Sequence, residues 1–355
     1  MSAQPVSPSI QHELDFAPAA ALVARAFPSA GAAVFEAMPG GASTRRYFRV
    51  LLGGAPKAVA MFVPDGAKPE EVGRGEAAAR WPFLEVRDLL HARGVDVPAL
   101  LGEDTARGWL LLEDLGDDTL AAFLVANPSR REALYVRAVT DLAKAQGALA
   151  SLPAGSVVAT RAFDDELLRW EIDHFREWAL EARGVVLGAE DRSTFDAVAG
   201  RLAHRIASWR RTFVHRDYQS RNLMVRAGGD ERLCWIDFQD ALLGPRVYDL
   251  VALLNDSYQT FDRAFVEARL DDYARAHGLS AAERADVGRE FDLVTVQRKL
   301  KDAGRFVFID RVKKNPSFLK FVEPTIVKVR ASLERLQDDA DMRALAGVIA
   351  RALPL

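Results

Sequence analysis

Cysteine is almost absent from this chain, and its single example, Cys234, excludes an intramolecular disulfide. A reduced compartment fits this composition, and Cys234 fits the role of a small buried hydrophobe in an apolar strand. The chain also lacks a run of about 18 consecutive apolar residues, which a membrane span requires. Acidic Glu13 and Asp15, and the interruption by Arg25, argue against a signal peptide. These absences predict a cytoplasmic protein with no membrane partner.

An excess of charge of one sign is missing as well. The 50 acidic and 47 basic residues give a net charge of −3, which argues against a general binder of polyanions. We therefore expect no nucleic-acid partner, although a small basic cleft could still hold a nucleotide. The length of 355 residues allows two domains or one large one.

What the chain does contain is a motif around one acid. Asp217 follows His215-Arg216 and precedes Asn222 by five residues, and Asp237 ends the next apolar strand. The same order of groups serves phosphoryl transfer in protein kinases: an acid accepts the proton of the attacking hydroxyl, and an amide and a second acid hold Mg²⁺ on ATP. The alternative is that these are ordinary turn residues. The flanking strands favour a phosphotransferase.

A second segment, residues 39–50, contains two glycines and small hydroxyl residues before an alternating strand. Such a hairpin lets backbone N–H groups approach a phosphate chain, although Gly-Gly also occurs in ordinary hairpin loops. The candidate nucleotide-binding residues of this segment are Ser43, Thr44, Arg45 and Arg46.

The pattern of the N-terminal part predicts a small sheet with one important helix. The segment 110–117 then changes from an apolar strand to acids and a glycine, so we place a lobe boundary between residues 1–114 and 115–355. Backbone groups near Glu113 and Leu115 could meet an adenine edge there, or the segment is a simple strand end. The predicted elements are a helix at 16–27, strands at 33–38, 57–63, 97–101 and 109–112, and a helical stretch at 69–93.

Helices dominate after Thr119. Asp249 lies in the first turn of one of them, where the helix dipole favours a carboxylate. The amphipathic pattern of the C-terminal segments argues against a disordered tail. The predicted helices span residues 120–125, 131–149, 164–181, 192–209, 248–256, 261–277, 281–308, 318–336 and 341–353.

At these motifs the chain resembles the aminoglycoside phosphotransferase superfamily, whose kinase-like fold is shared with choline and homoserine kinases. Within it, the chain looks most like the anomeric kinases that phosphorylate N-acetylmuramate and N-acetylglucosamine in bacterial cell-wall recycling. The segments that carry the resemblance are 43–50, 111–117, 214–224, 236–241, 244–250 and 297–301 with Gly304.

The resemblance implies an α+β, two-lobed protein-kinase-like fold, with a small antiparallel-sheet lobe and a larger, mostly helical lobe. It implies ATP between the lobes, Mg²⁺ on Asn222 and Asp237, and Asp217 as the base for a sugar hydroxyl. Arg221, beside the acid, could counter phosphate charge or form a surface salt bridge. We expect His215 to serve packing and hydrogen bonding rather than catalysis.

The acceptor is expected to meet an insert of the C-terminal lobe. Glu171 could hold sugar hydroxyls and Trp178 could stack on the ring, although an amphipathic helix with a core tryptophan explains both residues as well. Asp240 is a third candidate for substrate contact. We expect a small sugar and ATP as ligands and a monomeric protein.

One feature departs from the wider kinase pattern. A lysine is expected inside the third strand, but here Lys57 lies at its start and the middle is apolar. Either Lys57 reaches the phosphates, or Arg45 or Arg46 replaces it, or the site has no fixed cation. This puts a Lys–Glu pair with Glu85 in doubt.

Two alternatives stay open. The acceptor could be an aminoglycoside, choline or homoserine, or the protein could bind a nucleotide without catalysis. Aminoglycosides are polycations, and the insert has acids that could serve them: Asp164, Asp165, Glu166, Glu171, Asp173 and Glu177.

Overall fold

The computed structural model describes residues 14–39, 44–64, 80–228, 231–257 and 259–354. Its N-terminal part contains a five-stranded antiparallel sheet, and the rest of the described chain is mostly helical. The predicted α+β class is thus confirmed. The strands are β1 Ala33–Ala37, β2 Arg46–Leu52, β3 Ala55–Phe62, β4 Leu100–Asp104 and β5 Trp109–Glu113. Their order in the sheet is β1-β2-β3-β5-β4.

The two faces of this sheet belong to different cores. Helix α1, Ala17–Ala26, packs on one face, where Leu22 meets Phe48 and Trp109 in a small hydrophobic cluster. The opposite face joins the main core of the protein through helix α2, Pro82–Ala92. Side chains alternate between the faces of a strand, so neighbouring residues of β2 serve opposite sides of the sheet.

The C-terminal part combines two short antiparallel sheets with helices around a 33-residue helix, α9. None of the helices in the described ranges has the length and apolar character of a membrane span. The strands are β6 Arg211–Val214, β7 Leu223–Val225, β8 Leu233–Trp235 and β9 Leu242–Pro245; the helices are α3 Leu120–Ala126, α4 Arg131–Ala148, α5 Asp165–His174, α6 Ala189–Ala207, α7 Tyr248–Leu254, α8 Arg263–His277, α9 Ala281–Lys313, α10 Val322–Arg335 and α11 Ala340–Ala352.

Several predicted boundaries differ from the structure. The strand predicted at 97–101 begins at Leu100, because Pro98 has no N–H group for a ladder. The helix predicted at 164–181 is α-helical only to His174 and continues as a π-helical turn, Phe175–Leu180. Of the stretch 69–93, the part before residue 80 lies outside the described residues.

The two lobes are joined by an ion-pair network around Arg226. Its guanidinium lies 2.7 Å from Asp96 and 2.5 Å from Glu113, at the ends of N-terminal segments. The backbone N–H of Val225 also donates to the carbonyl of Asp118 at 2.8 Å. Because Arg226 follows β7, this network fixes the sheet lobe beside the loop that carries Asp217 and Asn222. The boundary after residue 114 stays a prediction; β5 ends one residue earlier.

Candidate active site

Hydrogen bonds bring together three of the four predicted catalytic and metal-binding residues, Asp217, Asn222 and Asp237. The loop between β6 and β7 carries Asp217 and Asn222, and the amide Nδ2 of Asn222 donates to the carbonyl of Asp217 at 2.8 Å. The N–H of Ile236 donates to the carbonyl of Asn222 at 3.0 Å. Because Asp237 follows Ile236 directly, this bond sets it beside Asn222.

Two residues of the site have left-handed backbone conformations. Arg216, directly before Asp217, has a φ of 79°, and Asp237 has a φ of 64°. Such angles are unfavourable for residues with a Cβ and persist only where the surrounding structure enforces them. The strain at these positions is the local cost of directing Asp217 and Asp237 into one cleft.

Asp249 enforces the conformation of the loop that carries Asp217. Its carboxylate, completely buried in α7, accepts the N–H of His215 at 2.6 Å and that of Arg216 at 3.0 Å. Burial raises the pKa of Asp249 to about 7. The two N–H donors and Arg298 lower this pKa, but their effect is smaller than that of burial. The sequence suggested only a favourable helix-dipole position for this acid, since its partners lie more than thirty residues away.

Asp217 is accessible and surrounded by positive charge. Its side chain retains 42% of its exposure, and its Oδ1 lies 3.7 Å from Nη2 of Arg298 in α9. Burial opposes ionisation, but the charges of Arg298, Lys301 and Arg216 outweigh it and lower the pKa of Asp217. The group is therefore ionised at neutral pH and able to accept a proton.

His215 lies in the interior of the protein, among packed aromatic rings. Its ring is completely buried beside Tyr218 and Trp235, with ring centroids 5.7 and 5.8 Å away. Burial lowers the pKa of His215 to about 4, so the imidazole is neutral at physiological pH. This environment agrees with the packing role expected from the sequence, whereas the expected hydrogen bonding of the ring stays a prediction.

Asp237 and Asp240 face Arg45 across the cleft. The guanidinium of Arg45 lies 3.5 Å from Asp237 Oδ1 and 4.0 Å from Asp240 Oδ2. The amide of Gln239 donates to both carboxylates, at 2.9 and 3.1 Å. Desolvation and the like charge of Asp217 raise the pKa of Asp237, although 45% of its side chain stays exposed.

The donor atoms of this group suit a hard divalent cation. Asp237 offers carboxylate oxygens, and the Nδ2 bond of Asn222 leaves the amide oxygen of that residue for another partner. Mg²⁺ is held in such sites by one or two carboxylates together with phosphate and water oxygens. The residues present therefore fit Mg²⁺, and a nucleotide phosphate would complete the coordination.

The structure separates the candidate phosphate-binding cations. Lys57 is exposed at the far end of β3, roughly 16 Å along the strand from Phe62, which pairs with Arg46. Because side chains alternate along β2, Arg46 lies on the same face as Phe48, which packs against α1. Arg45, in contrast, reaches Asp237 across the cleft. Thr44 is exposed beside Arg45, and Ser43 lies outside the described residues.

The middle of β3 supplies no cation. Met61 is completely buried in the main core. Glu85 of α2, the expected partner of a strand lysine, instead accepts the N–H of Val157 at 2.5 Å. The pair between Lys57 and Glu85 is therefore not formed, because Glu85 connects α2 to the C-terminal lobe and Lys57 lies at the opposite end of the sheet.

The connector between the lobes is already partly occupied by hydrogen bonds. The N–H of Glu113 donates to Ala99 at 2.9 Å, and its carboxylate binds Arg226. Leu115 is half-buried in the connector. Arg49 of β2 binds Asp114 and Asp117 of the same connector at 2.9 and 2.8 Å. Of the two residues predicted to meet adenine, Glu113 thus already uses its N–H and its side chain within the protein.

The predicted acceptor residues differ in accessibility. Glu171 is completely buried and receives Gln297 Nε2 at 2.8 Å, with Tyr248 Oη at 3.3 Å. Trp178, in the π-helical turn, is half-buried and packs edge-on against Phe308 at 5.0 Å. Asp240 is half-buried beside Gln239.

Two arginines complete the surroundings of the site. Arg221 is exposed at the end of the loop between β6 and β7. Arg161, which is not among the residues predicted from the sequence, donates from Nη1 to the carbonyl of Gln239 at 3.2 Å. It precedes α5 by only a few residues, and no motif in the sequence distinguishes it from other arginines.

A small antiparallel-sheet lobe, a helical lobe and an Asp–Asn–Asp group in the cleft define a phosphotransferase of the kinase-like class. The model of the APH phosphotransferase enzyme family matches residues 34–285. The chain belongs to this family, which confirms the resemblance seen in its motifs.

Individual relatives agree with this assignment. The N-acetylmuramate/N-acetylglucosamine kinase of Pseudomonas putida is 32% identical over 309 residues, which cover 86% of this chain and 85% of that protein. A choline/ethanolamine kinase family protein from Mesorhizobium loti has a TM-score of 0.56 at 18% identity, over 88% of this chain and 92% of that one. The GDP complex of aminoglycoside 2'-phosphotransferase-IIIa has a TM-score of 0.57 at 12% identity, over 90% and 98%. The two solved structures share the fold of this chain.

Proposed function

We propose that this protein is an ATP- and Mg²⁺-dependent kinase that transfers the γ-phosphate to the anomeric hydroxyl of an N-acetylated amino sugar. N-acetylmuramate and N-acetylglucosamine, the sugars of bacterial cell-wall recycling, are the proposed acceptors. The observation that carries the proposal is an ionised, accessible Asp217 beside Asn222 and Asp237 in a chain whose relative is named for these sugars.

Asp217 is the proposed base. It accepts the proton of the sugar hydroxyl while the sugar oxygen bonds to the γ-phosphorus and the bond to the ADP oxygen breaks. An anomeric hydroxyl is more acidic than an ordinary alcohol, so a carboxylate with a low pKa suffices. The charges of Arg298 and Lys301 that lower the pKa of Asp217 support this role.

Arg45 is the proposed phosphate-binding cation. It enters the cleft from the start of β2 and already lies 3.5 Å from Asp237. Asn222 and Asp237 would hold Mg²⁺, which neutralises phosphate charge during transfer. The apolar middle of β3 and the remote position of Lys57 support Arg45 over a strand lysine.

The acids of the insert support a neutral or anionic acceptor over an aminoglycoside. A polycation requires several available carboxylates, but those of the insert have partners inside the protein. Asp164 Oδ1 accepts the N–H of Leu167, and Glu171 is buried. The others pair as Asp165 with His204, Asp173 with Arg169 and Glu177 with Arg176, and Glu166 has a partner as well.

The acceptor contacts follow from accessibility. Trp178 is proposed to stack on the sugar ring, and Asp240 to bind a hydroxyl. Glu171 is proposed to act indirectly, because its contacts with Gln297, Tyr248 and Arg216 join α5 to the catalytic loop. Arg221, exposed at the end of that loop, is proposed to meet phosphate charge.

The decisive experiment is ³¹P NMR of the protein with Mg²⁺–ATP and each of four acceptors: N-acetylmuramate, N-acetylglucosamine, an aminoglycoside and choline. A sugar 1-phosphate signal, split by the anomeric proton, is the expected result. A product from the aminoglycoside or choline alone would overturn the acceptor assignment and keep the kinase. ATP binding with no product from any acceptor would favour a nucleotide-binding protein without this activity.

A further inference from the structure

Three consecutive residues that follow α7, the segment 255–257, are bonded to the C-terminal helices. The amide Nδ2 of Asn255 donates to Thr295 Oγ1 of α9 at 3.0 Å. The ammonium group of Lys299, also in α9, donates to Ser257 Oγ at 3.2 Å. Both of these α9 residues are completely buried. The segment is therefore fixed to the interior of the helical lobe.

Asp256, the middle residue of this segment, connects α10 to the loop that carries Asp217. Lys328 of α10 donates from its ammonium group to the backbone carbonyl of Asp256. The carboxylate Oδ2 of Asp256 accepts the hydroxyl of Ser220 at 2.9 Å, and both residues are completely buried. A buried hydroxyl that loses its partner has no water to replace it, so this bond is a firm point of attachment for the loop.

Ser220 lies in the turn that ends at Asn222. The N–H of Asn222 donates to the carbonyl of Gln219 at 2.8 Å, which closes this turn. The carbonyl of Ser220 accepts the N–H of Ala121, at the start of α3, at 3.0 Å. Ser220 is thus attached through both its side chain and its backbone, two residues before the proposed metal ligand.

Helix α7 therefore reaches the same loop from both of its ends. Asp249, in its first turn, accepts the backbone N–H groups directly before Asp217. Asp256, just beyond its last turn, holds the turn that ends at Asn222. The two acids are seven residues apart, a separation of roughly 10 Å along a helix. One contact precedes the proposed base, and the other precedes the proposed metal ligand.

We propose that Asp256 is a positioning residue that acts through Ser220 to hold Asn222 for the Mg²⁺ ion. The two acids of α7 then have separate tasks, because Asp249 positions the base and Asp256 positions a metal ligand. This inference rests on the Mg²⁺ site of the proposed function. Mg²⁺ requires nearly ideal octahedral geometry, so a small rotation of the Asn222 amide weakens its coordination. Loss of the bond between Asp256 and Ser220 is therefore expected to lower metal affinity.

The test measures metal binding without turnover. Mn²⁺, which binds the same kinds of oxygen ligand as Mg²⁺, is titrated into protein saturated with the non-hydrolysable ATP analogue adenylyl imidodiphosphate and followed by electron paramagnetic resonance. Ser220→Ala is expected to raise the Kd of Mn²⁺ about tenfold, while the Kd of the analogue without metal changes less than about twofold. Turnover of Ser220→Ala should recover at high Mg²⁺, whereas the kcat of Asp249→Asn should stay low.

Ser332→Ala is the matched control. Ser332 is a completely buried serine of α10, and its hydroxyl donates to Asp292 of α9 at 3.1 Å. Its replacement removes the same type of bond, but this bond joins two helices and does not involve the loop that carries Asp217. Both variants should lower the free energy of unfolding, and only Ser220→Ala should weaken Mn²⁺ binding. An unchanged Kd in Ser220→Ala, or an equal rise in both variants, would overturn the inference.

A double-mutant cycle tests whether Asp256 and Ser220 act through one bond. Asp256→Ala should also raise the Kd of Mn²⁺, and the double variant Ser220→Ala/Asp256→Ala should bind Mn²⁺ no more weakly than Asp256→Ala alone. Additive effects would contradict the proposal. If Asp256→Ala fails to fold, Ser220→Ala and its control decide.

The wild-type protein separates this inference from the proposed function. Wild-type protein that binds no Mn²⁺ beside the analogue would overturn the proposed Mg²⁺ site, together with this inference. Wild-type protein that binds Mn²⁺ but phosphorylates neither sugar would overturn the proposed acceptor alone, and the Kd values of the variants would still decide the role of Asp256.

Discussion

The carboxylate of Asp249 accepts the backbone N–H of His215 at 2.6 Å, and its second oxygen accepts the N–H of Arg216. A buried acid of α7 thus fixes the backbone directly before Asp217, the proposed base. The contact also explains how Arg216 is kept at a φ of 79°. The position of Asp217 therefore depends on an acid that is completely buried in the protein.

Asp249→Asn is expected to damage both stability and turnover. An asparagine can accept one N–H but presents its own donors to the other, so one buried N–H loses its partner at a cost of about 1–3 kcal/mol. A displacement of Asp217 by about 1 Å could lower kcat by about a hundredfold. Urea unfolding and steady-state kinetics measure the two effects. A variant that is less stable but fully active would contradict the positioning role.

Asp217→Asn is expected to lose most of its turnover while its affinity for ATP stays unchanged. Removal of a general base typically lowers kcat by about 10²- to 10⁴-fold, and the nucleotide contacts proposed here do not involve this side chain. Calorimetry with Mg²⁺–ATP and a kinetic assay separate the effects. Asp165→Asn, an exposed acid of α5 paired with His204, is the control. Wild-type kcat in Asp217→Asn would remove this residue from the mechanism.

Arg45→Ala is expected to raise the KM for ATP by about tenfold or more, because a charge-assisted contact to phosphate is lost. Lys57→Ala should change this KM by less than about twofold, since Lys57 is exposed at the other end of β3. Arg46→Ala should resemble Lys57→Ala. The KM for ATP of the three variants, measured at saturating sugar, checks this assignment. A larger increase in Lys57→Ala than in Arg45→Ala would assign the phosphate contact to Lys57.

Gly304→Ala is expected to destabilise the protein by about 2 kcal/mol or more. A Cβ at Gly304 would lie 2.1 Å from the carbonyl oxygen of His174, so α9 and the π-helical turn would have to separate. Gly288→Ala in the same helix meets no atom within 4 Å and should be neutral or stabilising by up to about 1 kcal/mol. Equal unfolding free energies for the two variants would refute this packing explanation.

Asp302→Asn is expected to lower the free energy of unfolding at pH 7 by about 3 kcal/mol. Asp302 is buried between Lys299 and Lys301, and its removal leaves positive charge without a counterion. Burial alone would raise the pKa of Asp302, but the charges of both lysines and Arg298 hold it well below its usual range.

The sign of this shift sets a pH dependence. A carboxyl group with a depressed folded-state pKa stabilises the protein above its unfolded pKa, near 4, and loses this contribution as the pH falls further. The difference between wild type and Asp302→Asn should therefore be complete at pH 7 and shrink below about pH 4. Urea unfolding at several pH values measures it, and a constant difference would argue against the charge pair as its cause.

The kinase-like fold and the proximity of Asp217, Asn222 and Asp237 were predictable because their signals are local. Asp217 and Asn222 are five residues apart in one loop between short strands, and a second strand leads directly to Asp237. Short loops and strand pairing leave few ways to arrange such residues. Their spacing in the sequence therefore almost determines that they lie close together in the structure. The acids and amide that suit phosphoryl transfer are therefore visible in the sequence.

Contacts between distant segments were decided by the tertiary structure. Arg45, Arg46 and Lys57 were equivalent candidates from composition, and only strand alternation and register separate them. From the sequence alone, the acids of the insert were available to bind a polycation, but the structure pairs them with other residues of the protein. Asp249 and Arg298 reach the backbone just before Asp217 from helices more than thirty and eighty residues away. Such pairings depend on how whole helices pack, and no local spacing encodes them.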